Sequence, residues 1–194
     1  MQCLINIREL YEELPIKWKQ ILEPHKEDLQ LVQNEIDLNY IKYGERLHIY
    51  PDQNDIFRIF KEVFVEDIKI IILGQDCYHR SGQAIGRSFG VPHNIIIPPS
   101  LKNIAKELYN DVGVILSDYT LGKWSEQGVL LLNCAMTVRE GEPGSHLDVW
   151  ENFTNGAIKK ISENCNNIVF MLWGKYAQKK QCIISSEKDH LILK

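Results

Sequence analysis

Ile68-Lys69-Ile70-Ile71-Ile72-Leu73-Gly74-Gln75-Asp76-Cys77-Tyr78-His79 is the stretch whose reading decides the fold. A run of apolar, mostly β-branched residues breaks off at a glycine, and polar and aromatic groups follow at once. Such a run predicts a strand buried on both faces, hence a central strand of a parallel sheet. In sheets of that kind ligands bind beyond the carboxyl ends of the strands. Gln75, Asp76, Tyr78 and His79 are therefore delivered to the rim where an α/β protein keeps its chemistry, and Asp76 supplies the carboxylate among them.

Around that stretch, 194 residues with 44% hydrophobic content fit one domain, 1–194, with a sizeable core. No apolar run is long enough to span a bilayer, so no membrane partner is expected. Met1-Gln2-Cys3-Leu4-Ile5-Asn6 lacks the charged-then-apolar pattern of a secretory leader. Five cysteines, 3, 77, 134, 165 and 182, form an odd, scattered set with no C-x-x-C pair. These features predict an intracellular protein, cytoplasmic or nuclear, with neither a disulfide framework nor a zinc site. Cys77 and His79 alone are too few ligands for a metal. The net charge of −4 excludes a broad electrostatic grip on nucleic acid but leaves room for a small local footprint.

Leu10, Leu14, Trp18, Ile21 and Leu22 fall on one apolar stripe that Pro15 and Pro24 interrupt, which predicts short N-terminal helices capping the core. Leu47-His48-Ile49-Tyr50-Pro51 reads as an extended piece, after which Asp52 or Asn54 caps a helix carrying Ile56, Phe57, Ile59, Phe60 and Phe64. Gly82 to Val91 is a glycine-bearing loop without the G-x-G-x-x-G spacing of a dinucleotide site. Pro98-Pro99-Ser100 leads into a helix, and Ser100 is either an ordinary cap or part of a phosphate site. Buried strands are expected at Val129–Asn133 and Ile168–Gly174, a helix from near Trp150, another at Tyr176–Lys180, and a fourth strand at His190–Leu193. Strands alternating with helices predict a parallel α/β sheet.

Strands ending at Gly74, Asn133 and Gly174 would bring Asp76, Asn133 and the 174–176 loop to one rim. With Phe89 added, the rim offers a flat ring for stacking, a primary amide and a carboxylate. That set suits a planar, amide-like heterocycle such as the edge of a pyrimidine. Each residue also has an ordinary reading: Asn133 as a turn cap, Phe89 as core, Asp76 as a turn residue.

The run Gly74-Gln75-Asp76-Cys77-Tyr78-His79 closely resembles the G-Q-D-P-Y-H motif of family 1 uracil-DNA glycosylases. Gly82-Gln83-Ala84 through Phe89 resembles their uracil-stacking segment, and Pro98-Pro99-Ser100-Leu101 their proline-rich DNA loop. Leu130-Leu131-Leu132-Asn133 with Thr137-Val138-Arg139 resembles the uracil-reading strand, and Phe170 through Lys180 a late segment of the same enzymes. The matches keep the family's order from about Tyr50 to the last residue. The resemblance implies a three-layer α/β sandwich around a central four-stranded parallel sheet. It also implies a monomeric DNA-repair enzyme that flips uracil out of single- or double-stranded DNA and hydrolyses its N-glycosidic bond, with no cofactor and no metal.

On that resemblance, Asp76 activates water and steadies the oxocarbenium-like sugar, and His79 helps orient water or phosphate. Phe89 stacks on the base, Asn133 reads its polar edge, Tyr78 excludes the thymine methyl, and backbone at Gln75 meets a carbonyl. Ser100, Ser145 and backbone at Gly174 hold phosphates, contacts that position the strand without reading it. Departures accompany the match. Cys77 stands where the motif has proline and is either a reactive thiol or a passive small residue; Ile96 and Ile97 replace prolines, and Gly144 replaces the asparagine of an N-S-H turn. Past His190-Leu191-Ile192-Leu193-Lys194 the family continues into an H-P-S-P loop and a final helix, so the domain is expected to be C-terminally incomplete. Lower activity follows from that reading, since losing one oxyanion donor costs roughly 10²–10³ in rate. The alternative is a weak or inactive relative that binds uracil, DNA or a partner.

Overall fold

The computed structural model describes residues 5–194; Met1 to Leu4, and with them Cys3 and most of the segment read for a leader, lie outside the described residues. The N-terminal helices are α1 (Ile7–Glu12), α2 (Ile16–Leu22) and α3 (Leu29–Tyr43), followed by β1 (Ile49–Tyr50) and α4 (Arg58–Glu62). Next come β2 (Ile70–Asp76), α5 (Pro99–Val112), α6 (Gly122–Ser125), β3 (Val129–Ala135) and β4 (Val138–Arg139). The chain continues through α7 (Leu147–Asn164), β5 (Val169–Met171), α8 (Gly174–Gln178) and β6 (Leu191–Leu193).

Four strands form one parallel sheet in the order β3-β2-β5-β6, and β2 lies inside it, as its β-branched run predicts. Parallel neighbours need long crossovers, and here helices supply them. α7 crosses from β3 to β5 and packs on β3, burying Trp150, Phe153, Ala157, Ile158 and Ile161. α2 and α3 pack in turn against α7, and with α6 also packed on β3 the helices surround the sheet in an α/β three-layer sandwich. The Trp18 ring of α2 lies tilted against Phe60 with centroids 4.7 Å apart, and Phe57 meets Trp150 and Phe153 edge-on at 6.0 and 6.1 Å. The buried Trp18 indole donates to the Val63 carbonyl at 2.8 Å, so this aromatic cluster carries no unpaired N–H at its centre. No described helix is long and apolar enough to cross a membrane.

The short N-terminal helices break where the prolines predict: α2 begins directly after Pro15, and Pro24 opens a 3-10 turn. Leu14, Trp18 and Leu22 of the expected stripe are buried, with Leu10 and Ile21 partly so. Asp52 caps the following turn by accepting from the Asn54 N–H at 3.0 Å. α7 starts at Leu147, close to Trp150 as the sequence predicts. Other expectations need correction. α4 covers only Arg58–Glu62, and Phe64, beyond its end, is 55% exposed. The sheet strands also end elsewhere: β2 continues through Gly74 to Asp76, β3 passes Asn133 to Ala135, and β5 stops at Met171. Ladder hydrogen bonds belong to the backbone, so polar side chains do not end a strand when its neighbour runs on in register.

Candidate active site

The parallel register sets Gly74 beside Asn133 and Asp76 beside Ala135. At Gly74 the strands leave no room for a side chain: a β-carbon there would lie 2.2 Å from Asn133 Oδ1 and 2.8 Å from Ser88 Cβ. The glycine is therefore what lets the Asn133 amide lie across β2 at the sheet rim. Asn133 itself is almost wholly buried, yet its side chain lines a pocket together with Asp76, Cys77, Tyr78, Phe89 and Arg87. The ring, amide and carboxylate that the sequence places at one rim thus border a single cavity.

Phe89 reaches that cavity from the loop between β2 and α5. Its φ of +64° is a left-handed conformation rare for a bulky residue. The loop holds it there. The Tyr78 hydroxyl donates to the Phe89 carbonyl at 3.2 Å, and the Phe89 ring meets Trp173 edge-on at 5.7 Å. On one side Ser88 N–H donates to the Leu131 carbonyl at 3.0 Å; on the other Val91 N–H donates to the Tyr119 carbonyl at 2.9 Å. Arg87 grips both carboxylate oxygens of Glu62, at 2.7 and 2.6 Å, and its guanidinium also reaches the Thr120 carbonyl. Burial pushes the Tyr78 phenol up to about 12, so it stays protonated and able to donate.

Asp76 is held from across the site. Its Oδ2 accepts a 2.6 Å hydrogen bond from the Gly144 N–H, and Gly144 sits at φ +78°. Behind it, the Ser145 hydroxyl accepts from the Arg139 N–H at 2.9 Å. His146 is buried, with Nδ1 2.9 Å from Thr137 Oγ1 and Nε2 3.3 Å from Asn39 Nδ2. Thr137 Oγ1 also accepts from the Trp150 indole at 2.7 Å, and Asn39 Oδ1 accepts from Arg139 at 3.0 Å. The His79 carbonyl accepts from the Gly141 N–H, and its ring Nδ1 is buried without a partner among the described residues.

Gln75 stands exposed beyond Gly74. Ser100 is the second residue of α5, exposed, and makes no capping bond, because the helix is entered from Pro98. Gly174 opens α8 at φ +85°. Ser100, Gly174, Trp173 and Phe89 border one groove beside the pocket, whereas Ser145 lies on the Asp76 side with its hydroxyl oxygen already engaged by Arg139. Cys77 is buried, and burial pushes its thiol up to about 12, which overturns the reading of a reactive thiol. Among the described residues no group of His, Cys, Asp and Glu is arranged to hold a metal ion. Sequence reasoning missed Gly74 as the clearance for Asn133, the Gly144 N–H on Asp76, and the Asn39–His146–Thr137 chain. No residue-type signal marks a backbone donor or a contact between residues 107 apart.

A protein-family model described as the uracil DNA glycosylase superfamily matches residues 61–193. The uracil-DNA glycosylase of Campylobacter lari is 44% identical over 179 residues, covering 91% of this chain and 77% of that protein. That of Campylobacter concisus is 42% identical over 193 residues, covering 97% of this chain and 81% of that protein. Among solved structures, mimivirus uracil-DNA glycosylase superposes with a TM-score of 0.84 at 29% identity, covering 98% of this chain and 70% of that one.

Proposed function

The chain belongs to the uracil DNA glycosylase superfamily and is a DNA-repair N-glycosylase, and on that premise we propose how its residues divide the work. The reaction adds water to C1′ of the deoxyribose, breaks the C1′–N1 bond and releases uracil, leaving an abasic site. The base first leaves the stack at a cost of a few kcal/mol, least where it is mispaired or single-stranded. Phe89 then stacks on the extruded ring. Asn133 offers one N–H and one carbonyl to its polar edge, Tyr78 occupies the place of a thymine methyl, and backbone at Gln75 meets a carbonyl.

Asp76 faces the sugar. As a carboxylate it orients the water and opposes the positive charge that develops at C1′, a stabilisation larger in the transition state than in the ground state. The Gly144 N–H on Oδ2 holds the carboxylate in place, so little reorganisation is needed as charge develops. His79, whose buried ring Nδ1 has no partner among the described residues, orients water or a phosphate. Ser100 and the backbone at Gly174 hold phosphates along the groove beside Phe89, and Ser145 holds one on the other side. The residues assigned here, Asp76, Tyr78, Phe89 and Asn133, all come from one chain and line one pocket, which supports a monomer acting as a single domain on single- or double-stranded DNA.

The observation that carries this reading is the common cavity of Asp76, Tyr78, Phe89 and Asn133 at the sheet rim. Its test is uracil release from a single-stranded oligonucleotide with one deoxyuridine. Asp76→Asn is expected to slow release by roughly 10²–10³ with an unchanged melting temperature. Phe89→Ala and Asn133→Ala are expected to weaken inhibition by free uracil. Wild-type turnover by Asp76→Asn would rule out the role given to that carboxylate.

A further inference from the structure

Cys77 stands where the resembled motif has proline, and its sulfur lies at the back of the residue that reads the base. Cys77 is 5% exposed. Asn133 Nδ2 donates to Sγ at 3.4 Å, and the S–H donates to the Ala135 carbonyl at 3.5 Å. Ala135 is two residues beyond Asn133 on β3, so β3 both carries the amide and takes the thiol proton. We propose that Cys77 is a positioning residue for base selection: it fixes which way round the Asn133 amide stands and thereby sets uracil above cytosine. This rests on the functional reading given above.

A thiol has one proton to give. With that proton on the Ala135 carbonyl, the sulfur shows the amide only lone pairs, and a lone pair accepts from N–H but repels a carbonyl oxygen. Nδ2 is therefore turned toward Cys77. Oδ1 takes the other side, against the α-carbon of Gly74, where the missing β-carbon leaves it room. The second N–H and the Oδ1 lone pairs remain for the base. They match the carbonyl and ring N–H of uracil. An amide turned by half a rotation would offer the reverse pattern, which suits the exocyclic amine and bare ring nitrogen of cytosine. Proline has no atom to play the part of the sulfur, so a chain with proline here lacks the device.

The experiment compares single-turnover release of uracil and of cytosine from matched single-stranded oligonucleotides by wild type, Cys77→Ala and Cys77→Ser. Cys77→Ala is expected to slow uracil release about fivefold to tenfold, the scale of one lost hydrogen bond, and to lower the uracil-to-cytosine ratio. Serine keeps a donor and lone pairs at nearly the same place and is expected to restore most of both. A merely structural role would slow release without moving the ratio or the serine rescue. If cytosine release stays below detection in every variant, the uracil rates and the serine rescue decide alone. Wild-type behaviour of Cys77→Ala, or a serine variant no better than alanine, overturns the proposal. Side-chain amide exchange supplies the measurement if Cys77→Ala does not fold: one Nδ2 proton of Asn133 is expected to be protected in wild type and Cys77→Ser, and two freely exchanging protons would refute the contact. That readout needs no turnover, so an inactive wild type would count against the enzymatic reading and leave the contact separately decided.

Discussion

At Gly74 two chemistries meet, because the backbone of β2 passes so close to Asn133 that the amide occupies the space of a side chain. A methyl group there cannot be absorbed by a flexible tip, since the atoms it meets are a β-carbon and an amide held by Cys77. Gly74→Ala is therefore expected to displace Asn133 and cut uracil release by at least about a hundredfold, while overpacking costs about 1–3 kcal/mol in a denaturant titration. A rate near wild type would show that Asn133 does not need its present place. Tyr78→Phe separates ring from hydroxyl in the same way. It keeps the bulk facing the base but frees the Phe89 carbonyl, so uracil is expected to bind severalfold more weakly with rejection of thymine unchanged. The residues themselves were legible because polar and aromatic groups following an apolar run announce a sheet rim. Their supports were not. Gly74 reads as a strand terminator in sequence, and only the register with β3 shows it to be a clearance. Cys77 reads as a reactive thiol or a passive small residue in place of proline until the Ala135 carbonyl and the Asn133 amide are seen on either side of it.

Among the elements, the β2–α5 loop is the one whose shape most exceeds its sequence. Glycines advertise tight turns at Gly82 and Gly86, but nothing in their spacing says that the loop is bolted at Arg87, Ser88 and Val91 to three other parts of the chain. The bidentate Arg87–Glu62 pair ties it to α4, and a forked guanidinium on a carboxylate fixes angle as well as distance. Phe89, two residues on, is held in its left-handed conformation by that frame. Arg87→Ala is expected to raise KM for a deoxyuridine oligonucleotide severalfold with a smaller fall in kcat, and to cost about 1–3 kcal/mol of stability, since among the described residues Glu62 keeps Arg58 as its one partner. An unchanged KM would mean that the loop holds Phe89 without its anchor. Strand positions were legible from short apolar runs, and strand ends were not. The side-chain pattern stops at Gly74 and Asn133, whereas the ladder between β2 and β3 continues to Asp76 and Ala135.

Across the whole molecule, the N-terminal helices do more than cap the core, the role their apolar stripe suggests. α3 sends Asn39 and Glu35 against His146 and Arg139, and His146 anchors the loop whose Gly144 N–H holds Asp76. The bonds around His146 fit one neutral tautomer: Nδ1–H donates to Thr137 Oγ1, and Nε2 accepts from Asn39 Nδ2, whose Oδ1 is fixed by Arg139. Protonating Nε2 would set donor against donor. Burial first, then the Arg139 charge, hold the His146 imidazole down to about 4, against the opposite pull of Glu35 and Glu142. A folded-state value depressed below the unfolded 6.5 means that the unfolded chain binds the extra proton first as pH falls. The stability from a neutral His146 is thus fully present above pH 6.5 and is lost as pH falls from 6.5 toward 4, on the order of 3 kcal/mol in all. Urea midpoints between pH 7 and 4 are expected to show that decline in wild type and a shallower one in His146→Asn, which has no ring to protonate. Because the same loop holds Asp76, glycosylase activity is expected to fall over the same window. A wild type and a variant with parallel stability curves would place the acid sensitivity elsewhere and break the link drawn from α3 to the carboxylate.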